Sequence, residues 1–373
     1  MSELKVNTIS EQSSGNGVTI DSVPVKDGAV GTTTTPITVN ANSLNGGQFS
    51  GRRNLIFNPE MKLALRATTK ADMGSVEGYY VHDRWQHSVG NTSGRYTWTQ
   101  ETITDLAGFG NAMKLACTTA DTSVATNERL IIKQSFEGQD VQGLQKGFST
   151  AKKIAVSFYV KGNASATYTV ELSDTDNTRY NGQTFNVTTD WTRVSVVFNA
   201  DTTCKLTNDS NKSLDLNFWL HAGSDFTSGT FTSNVWHTSA TQRVGGSTSF
   251  FDSTSRTFFL TGVQMEISDI VTPFEFVNIA DDLYRCRRYF QQNQASWYGV
   301  YQASGYFESD GISYNPVMRD TPSVSQKSFT GGSRASSSSS TSNSSSGITI
   351  YTSPSSAGGN EGWFATWEAD AEI

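Results

Sequence analysis

The chain has 373 residues, of which 17% are charged and 11% aromatic, and its formal net charge is -7. That aromatic content excludes a wholly disordered chain, three Cys exclude a disulfide scaffold, and the acidic balance argues against nucleic-acid binding through a basic face. No apolar run approaches the ~20 residues of a membrane helix, so no membrane insertion is expected.

Met1–Ser10 lack the charged region and apolar stretch of a secretory leader. Residues 1–50 alternate short apolar pairs with polar residues: Leu4 and Val6, Val18 and Ile20, Val23 and Val25. Gly15-Asn16-Gly17 and Lys26-Asp27-Gly28 punctuate them as turns, and a Thr run follows at 32–35. The period of two predicts strands. Fifty such residues, with Phe49 their one aromatic ring, are too few to bury a core of their own. They must dock, self-associate or stay unstructured. Asn45-Gly46-Gly47 reads as the hinge to the next unit.

Residues 51–275 read as a series of one-sided strands. Ile154, Val156, Phe158 and Val160 make one face, as do Val194, Val196 and Phe198, and then Leu214, Leu216, Phe218 and Leu220. Asp215, Asn217, Trp219 and His221 fall on the opposite, wet side. Asn181-Gly182 reads as a hairpin turn. Many short strands without intervening helical periods predict an all-β antiparallel sandwich of the jelly-roll kind. Cys117, Cys204 and Cys286 read as buried thiols.

In residues 276–293 the spacing of Ile279, Leu283, Cys286 and Phe290 predicts one short helix, with Asp281 and Asp282 early and Arg285, Arg287 and Arg288 late. Residues 294–373 form a small C-terminal β unit. Within it, 11 of the 14 residues 333–346 are Ser or Thr, a composition that predicts a loop. Residues 348–351 and 363–373 read as closing strands.

Asp174-Thr175-Asp176-Asn177 hints at a calcium loop but lacks the Gly and Glu such a loop needs, so a turn is the better account. No metal or cofactor is expected. Glu128, Glu137, Glu171, Asp174, Asp215 and Glu266 cannot be paired from sequence into a glycosidase dyad, and no nucleophile-elbow, P-loop or HExxH pattern occurs. The chain is not expected to be an enzyme. Trp297, Tyr298, Tyr301 and Tyr306 cluster beside Gln294, Gln302, Ser304 and Asp310. Rings next to neutral or acidic hydrogen-bonding groups suit a sugar, with packing in a core or subunit contact as the alternative.

Residues 259–266 (FLTGVQME), 272–275 (TPFE) and 282–290 (DLYRCRRYF) resemble a pattern of bacteriophage tail-fibre and related virion proteins. So do 54–61 (NLIFNPEM), 83–85 (DRW), 369–373 (ADAEI) and 17–21 (GVTID) with 26–28 (KDG). Ile267-Ser268-Asp269 and Arg287 depart from the usual pattern. The resemblance implies a jelly-roll module in a homotrimeric fibre, assembled in the bacterial cytoplasm and located in the virion. Val18, Ile20, Val23 and Val25 would then anchor the chain to other virion proteins. Leu283, Arg285, Arg288 and Phe290 would line the trimer interface, and the distal unit would meet host-surface glycan. The alternatives are a capsid fibre, decoration protein or tail connector that binds only virion proteins, and a polysaccharide depolymerase, for which no repeat is present.

Overall fold

The computed structural model describes residues 52–246, 248–301 and 308–373, together with the backbone of five short strands within residues 1–51. The chain divides between Leu44 and Asn45, where the Gly-rich hinge is expected. In the first unit, β1 (Val18–Ile20) pairs antiparallel with β2 (Val23–Lys26), and β2 with β3 (Ala29–Val30). Val18 stands opposite Val25, and Ile20 opposite Val23. The Asp27-Gly28 of the expected turn lies outside the described residues. The side chains of Val18, Ile20, Val23 and Val25, expected to anchor the chain, lie outside the described residues. β4 (Ser43–Leu44) and β5 (Gly47–Gln48) are two residues each.

The second unit is built on two antiparallel sheets. In chain order the strands are β6 (Thr69–Met73), β7 (Gln86–Gly90), β8 (Arg95–Thr102), β9 (Asn111–Thr119), β10 (Arg129–Glu137), β11 (Ile154–Gly162), β12 (Ala166–Asp174), β13 (Arg179–Val187), β14 (Thr192–Phe198), β15 (Lys212–Ala222) and β16 (Thr257–Ile267). One sheet runs β13-β12-β15-β10-β7 and the other β14-β11-β16-β9-β8-β6. Their facing sides bury Ile154, Val156, Phe158 and Val160 against Leu214, Leu216, Phe218 and Leu220. Phe158 meets Phe218 and Phe185 edge-on at 4.9 and 5.0 Å, the geometry favoured by the ring quadrupole. The all-β antiparallel sandwich is as the alternation requires.

Three local expectations fail. Asn181-Gly182 is not a turn: it lies inside β13, opposite Leu172 and Glu171, and residues 175–178 make the hairpin instead. There Asp174 accepts hydrogen bonds from the Asn177 backbone and side-chain amides at 3.0 and 2.9 Å, an Asx-type turn. Among the described residues no three His, Cys, Asp or Glu side chains are placed to hold a metal ion. Cys204 is half-buried rather than core, unlike Cys117 and Cys286. The side of β15 taken as wet is buried too, for a reason that becomes the site below.

The helix is shorter than its stripe. After α1 (Ser224–Thr227), α2 spans Ile279–Cys286, with Asn278 capping it through its side chain to the Ala280 amide at 2.8 Å. Phe290 already belongs to β17 (Phe290–Val300). β18 (Glu308–Ser313), β19 (Ser323–Gly331), β20 (Ser339–Ser344), β21 (Gly347–Thr352) and β22 (Asn360–Asp370) follow. They form two three-stranded sheets, β17-β22-β19 and β18-β21-β20, with a second core of Ala295, Met318, Ile348, Ile350, Trp363, Ala365 and Trp367. Part of the Ser-rich run is thus strand β20, because β21 supplies a ladder that a polar strand completes through its backbone alone.

The scattered motifs of the sequence converge on one junction. Arg84 of 83–85 is wholly buried and pairs with Glu372 of the terminal motif, while its guanidinium lies 3.5 Å over the Tyr289 ring and donates to Ser135 O. Arg66 holds Asp370 at 2.9 Å and Glu372 at 3.3 Å and lies 3.6 Å over Phe290. Arg288 forks onto Glu137 at 2.9 and 2.8 Å, and Tyr289 Oη donates to the same carboxylate at 2.6 Å. Asn54 clips residues 54–61 to β16 through Val263 O and the Met265 amide. Glu275 receives the Arg53 and Asn54 amides, and its own amide donates to Gln264. Of the residues expected at a trimer interface, Leu283 packs on the main core and Phe290 is buried. Arg285 lies 4.0 Å over Phe57, and Arg288 pairs with Glu137.

Burial also sets a pH dependence. It pushes the His82 and His87 imidazoles down to about 3, so both stay neutral in the fold. Below pH ~6.5 the unfolded chain takes up these protons and the native one does not, so this stability is full above 6.5 and lost as pH falls. Asp83, pushed up to about 6 chiefly by burial, acts in the opposite direction between about 6 and 4. The net expectation is a loss approaching about 1.4 kcal/mol per pH unit across that window. Denaturant unfolding at pH 7, 6, 5 and 4 checks it; flat stability down to pH 4 contradicts it.

Candidate functional site

The outer face of the five-stranded sheet carries Lys133 and Ser135 from β10, Asp215, Asn217, Trp219 and His221 from β15, and Glu171 and Ser173 from β12, set side by side by the ladder register. Residues 223–246 fold back across part of this face. Their backbone is tied down at Gly223 to Glu128, Asp225 to Thr126, Asn234 to Gly182 and His237 to Tyr180. This is why Gly182 interrupts a strand: a Cβ there would meet Arg243 O at 3.0 Å and the Phe231 ring at 3.1 Å.

Glu171 is the fastening. It is fully buried and accepts a two-pronged contact from Arg243 at 2.8 and 2.8 Å, plus Asn217 Nδ2 at 2.8 Å and Trp219 Nε1 at 2.9 Å. Burial lowers the Arg243 pKa, and the charge and hydrogen bond of Glu171, together with Tyr180 and Asp215, turn the net shift upward. The guanidinium in turn lies 3.9 Å over Tyr180 and 4.8 Å over Trp219, whose ring also meets Phe226 at 5.0 Å. Glu171→Ala leaves Arg243 without its counter-charge and is expected to cost about 3 kcal/mol or more. Limited proteolysis should then cut first within residues 223–246; an unchanged cleavage pattern contradicts this role.

The uncovered part of the face is a cleft of about 350 Å³, lined by Ser88, Lys133, Ser173, Tyr180, Asp215 and Asn217 among others. Asn217 Oδ1 is buried and has no hydrogen-bond partner, while its Nδ2 is fixed by Glu171. Asp215 is oriented by Ser135 Oγ at 2.7 Å and has Lys133 Nζ at 3.5 Å. The arrangement offers an oriented acceptor, an amine, a carboxylate and a half-exposed Tyr180 ring. Those groups match adjacent hydroxyls and an apolar C–H face.

The carboxylates weighed as a glycosidase pair all have partners: Glu128 with His221, Glu137 with Arg288, Glu171 with Arg243, Asp174 with Lys146, Asp215 with Ser135 and Glu266 with Thr272. The three described rings of the four in the C-terminal unit are not gathered at one face. Trp297 packs on the second core and stacks on Tyr301 at 5.0 Å, and Tyr301 is buried. Tyr298 points to the other side and is 72% exposed, and Tyr306 lies outside the described residues. Sequence reading missed the cleft. Its available signal was Trp219 and His221 on a supposedly wet face, since such residues mark a covered or ligand-bearing surface.

Residues 99–224 match the model of a carbohydrate binding domain family. The match contains the whole of β10, β12, β13 and β15, four of the five strands of the cleft sheet. No curated protein matches the chain. Among solved structures, similarity extends to one described as "CBM4 structure and function", at 13% identity and TM-score 0.29, covering 56% of this chain and 97% of that one. It extends also to the family 11 carbohydrate-binding module of the cellulase Lic26A-Cel5E of Clostridium thermocellum, at 12% identity and TM-score 0.27, covering 54% and 95%. A third is the enzymatically active domain of bacteriophage CBA120 tailspike protein 4, at 8% identity and TM-score 0.31, covering 57% of this chain and 21% of that one.

Proposed function

We propose that the chain binds carbohydrate through the cleft of Lys133, Tyr180, Asp215 and Asn217, without cleaving it. The carrying observation is that the carbohydrate-binding family match coincides with the strands that hold an oriented, unpartnered acceptor, Asn217 Oδ1, in a polar cleft. The volume lies at the low end of the roughly 300–1,000 Å³ of small-molecule sites, which suits a short oligosaccharide segment. Titration of the full chain with the strongest binder from an array of bacterial surface oligosaccharides tests the reading. An array without binders, or release of reducing ends, rejects it.

On the resemblance of residues 54–61, 83–85, 259–266, 272–275, 282–290 and 369–373, the proposed setting is a fibre-like appendage of a bacteriophage virion. There a homotrimer would present the cleft to host glycan. Immunogold labelling of intact particles tests the location, and light scattering the trimer. Label confined to the capsid shell favours the decoration alternative.

A further inference from the structure

The outward face of the sheet β17-β22-β19 carries Ser296, Tyr298 and Val300 from β17, Gly362, Phe364 and Thr366 from β22, and Ser328 and Thr330 from β19. Alternation sends Trp297, Trp363, Ala365 and Trp367 the other way, into the second core. Tyr298 pairs directly with Gly362, and a Cβ on Gly362 would lie 2.8 Å from Tyr298 Cδ2. The tyrosine ring therefore reclines across the neighbouring strand in the space the glycine leaves. Its other side faces solvent, with Tyr298 72% and Phe364 41% exposed. Because Ser296 pairs with Phe364 and Tyr298 with Gly362, Tyr298 and Phe364 are diagonal neighbours on the same face of the sheet.

We infer that Tyr298 and Phe364 form a second carbohydrate platform, flat rather than cleft-like, for an uncharged glycan. The immediate surround is hydroxyl-bearing, with Ser296, Ser328, Thr330 and Thr366. The one carboxylate at its edge, Asp310, accepts from the Ser296 amide at 3.0 Å and disfavours an anionic glycan. Further along the sheet, Lys327 and Glu368 neutralise each other at 2.9 Å. Ring faces take the C–H side of a pyranose, and neighbouring hydroxyls take its equatorial hydroxyls. A protein partner fits less well, since three exposed apolar side chains, Tyr298, Val300 and Phe364, fall far short of the roughly 800 Å² each partner buries in a stable interface. This platform is independent of the cleft.

The test is affinity electrophoresis of the full chain in gels cast with a neutral glucan, mannan or galactan. Wild type should be retarded in at least one gel. Tyr298→Ala should weaken that retardation about tenfold, Phe364→Ser should weaken it too, and Tyr298→Phe should retain it because the ring remains. Each variant is run again with Asn217→Ala, so that loss at the platform and loss at the cleft are read separately. If Tyr298→Ala migrates as wild type in every gel, the platform is refuted. It is equally refuted if Tyr298→Ala abolishes concentration-dependent self-association in light scattering and leaves retardation unchanged.

Discussion

Glu372→Ala is expected to lower the unfolding free energy by about 3–5 kcal/mol, the cost of removing one partner of a buried ion pair. The reason is what it leaves behind. Arg84 is completely buried, its pKa is raised, and it sits against Phe57 and Tyr289 with Ser135 O as its remaining polar contact. Burial alone lowers that pKa, and the Glu372 charge, helped by Tyr289, Tyr79 and the hydrogen bond to Glu372, reverses it. Arg66 loses one of three carboxylates in the same change. Deletion of 371–373 should be as costly, because it also removes the Ala371 amide bond to Tyr289 O and the Ile373 carbonyl that accepts from Tyr79 Oη. Arg84→Met with Glu372→Met, which removes both charges, should recover much of the loss. Guanidinium unfolding of the three variants distinguishes these outcomes. If Glu372→Ala unfolds within about 1 kcal/mol of wild type, the junction does not hold the fold together.

The second large effect concerns binding. Lys133→Ala combined with Asn217→Ala is expected to weaken glycan affinity at least about thirtyfold, given roughly 1–3 kcal/mol for each hydrogen-bonding group removed from a desolvated site. Asn217 also holds Glu171, so part of its effect passes through the segment 223–246. Lys133→Ala alone separates the two, since its charged partner Asp215 remains oriented by Ser135. Calorimetric titration gives the affinities, and a thermal melt shows whether the fold is retained. Binding unchanged in the double variant sinks the assignment of the cleft.

The junction also explains why several separate sequence motifs point in one direction. Asn54, Arg84, Gln264, Glu275, Tyr289 and Glu372 are far apart in sequence and close in space. Each is a polar or charged group that burial permits only with a partner. Such motifs record the partnership, and their work here is structural: they fasten residues 52–61, helix α2 and the last strand to the sandwich.

Much of the fold was written in local pattern. The period-two faces of residues 154–160 and 214–220 fixed which side chains meet between the sheets, because successive strand residues point to opposite sides. Asp281 and Asp282, read as early in the helical stripe, lie in the first turn of α2. What local pattern could not carry was coverage by distant segments. Asp215, Asn217 and Trp219 alternate like a wet face, and only the return of residues 223–246, fastened by Glu171 to Arg243, turns that face into a cleft. Likewise Asn181-Gly182 has the chemistry of a turn, yet Gly182 is there so that another segment can pass close above it. The Ser run 339–344 becomes a strand because β21 offers a backbone ladder, which needs no particular side chains. The sequence alone determined the core-facing sides of the sandwich strands and the class of fold. Tertiary structure decided which outward surfaces are roofed, which buried charges meet and where a ligand can enter, because those depend on contacts between residues tens to hundreds of positions apart.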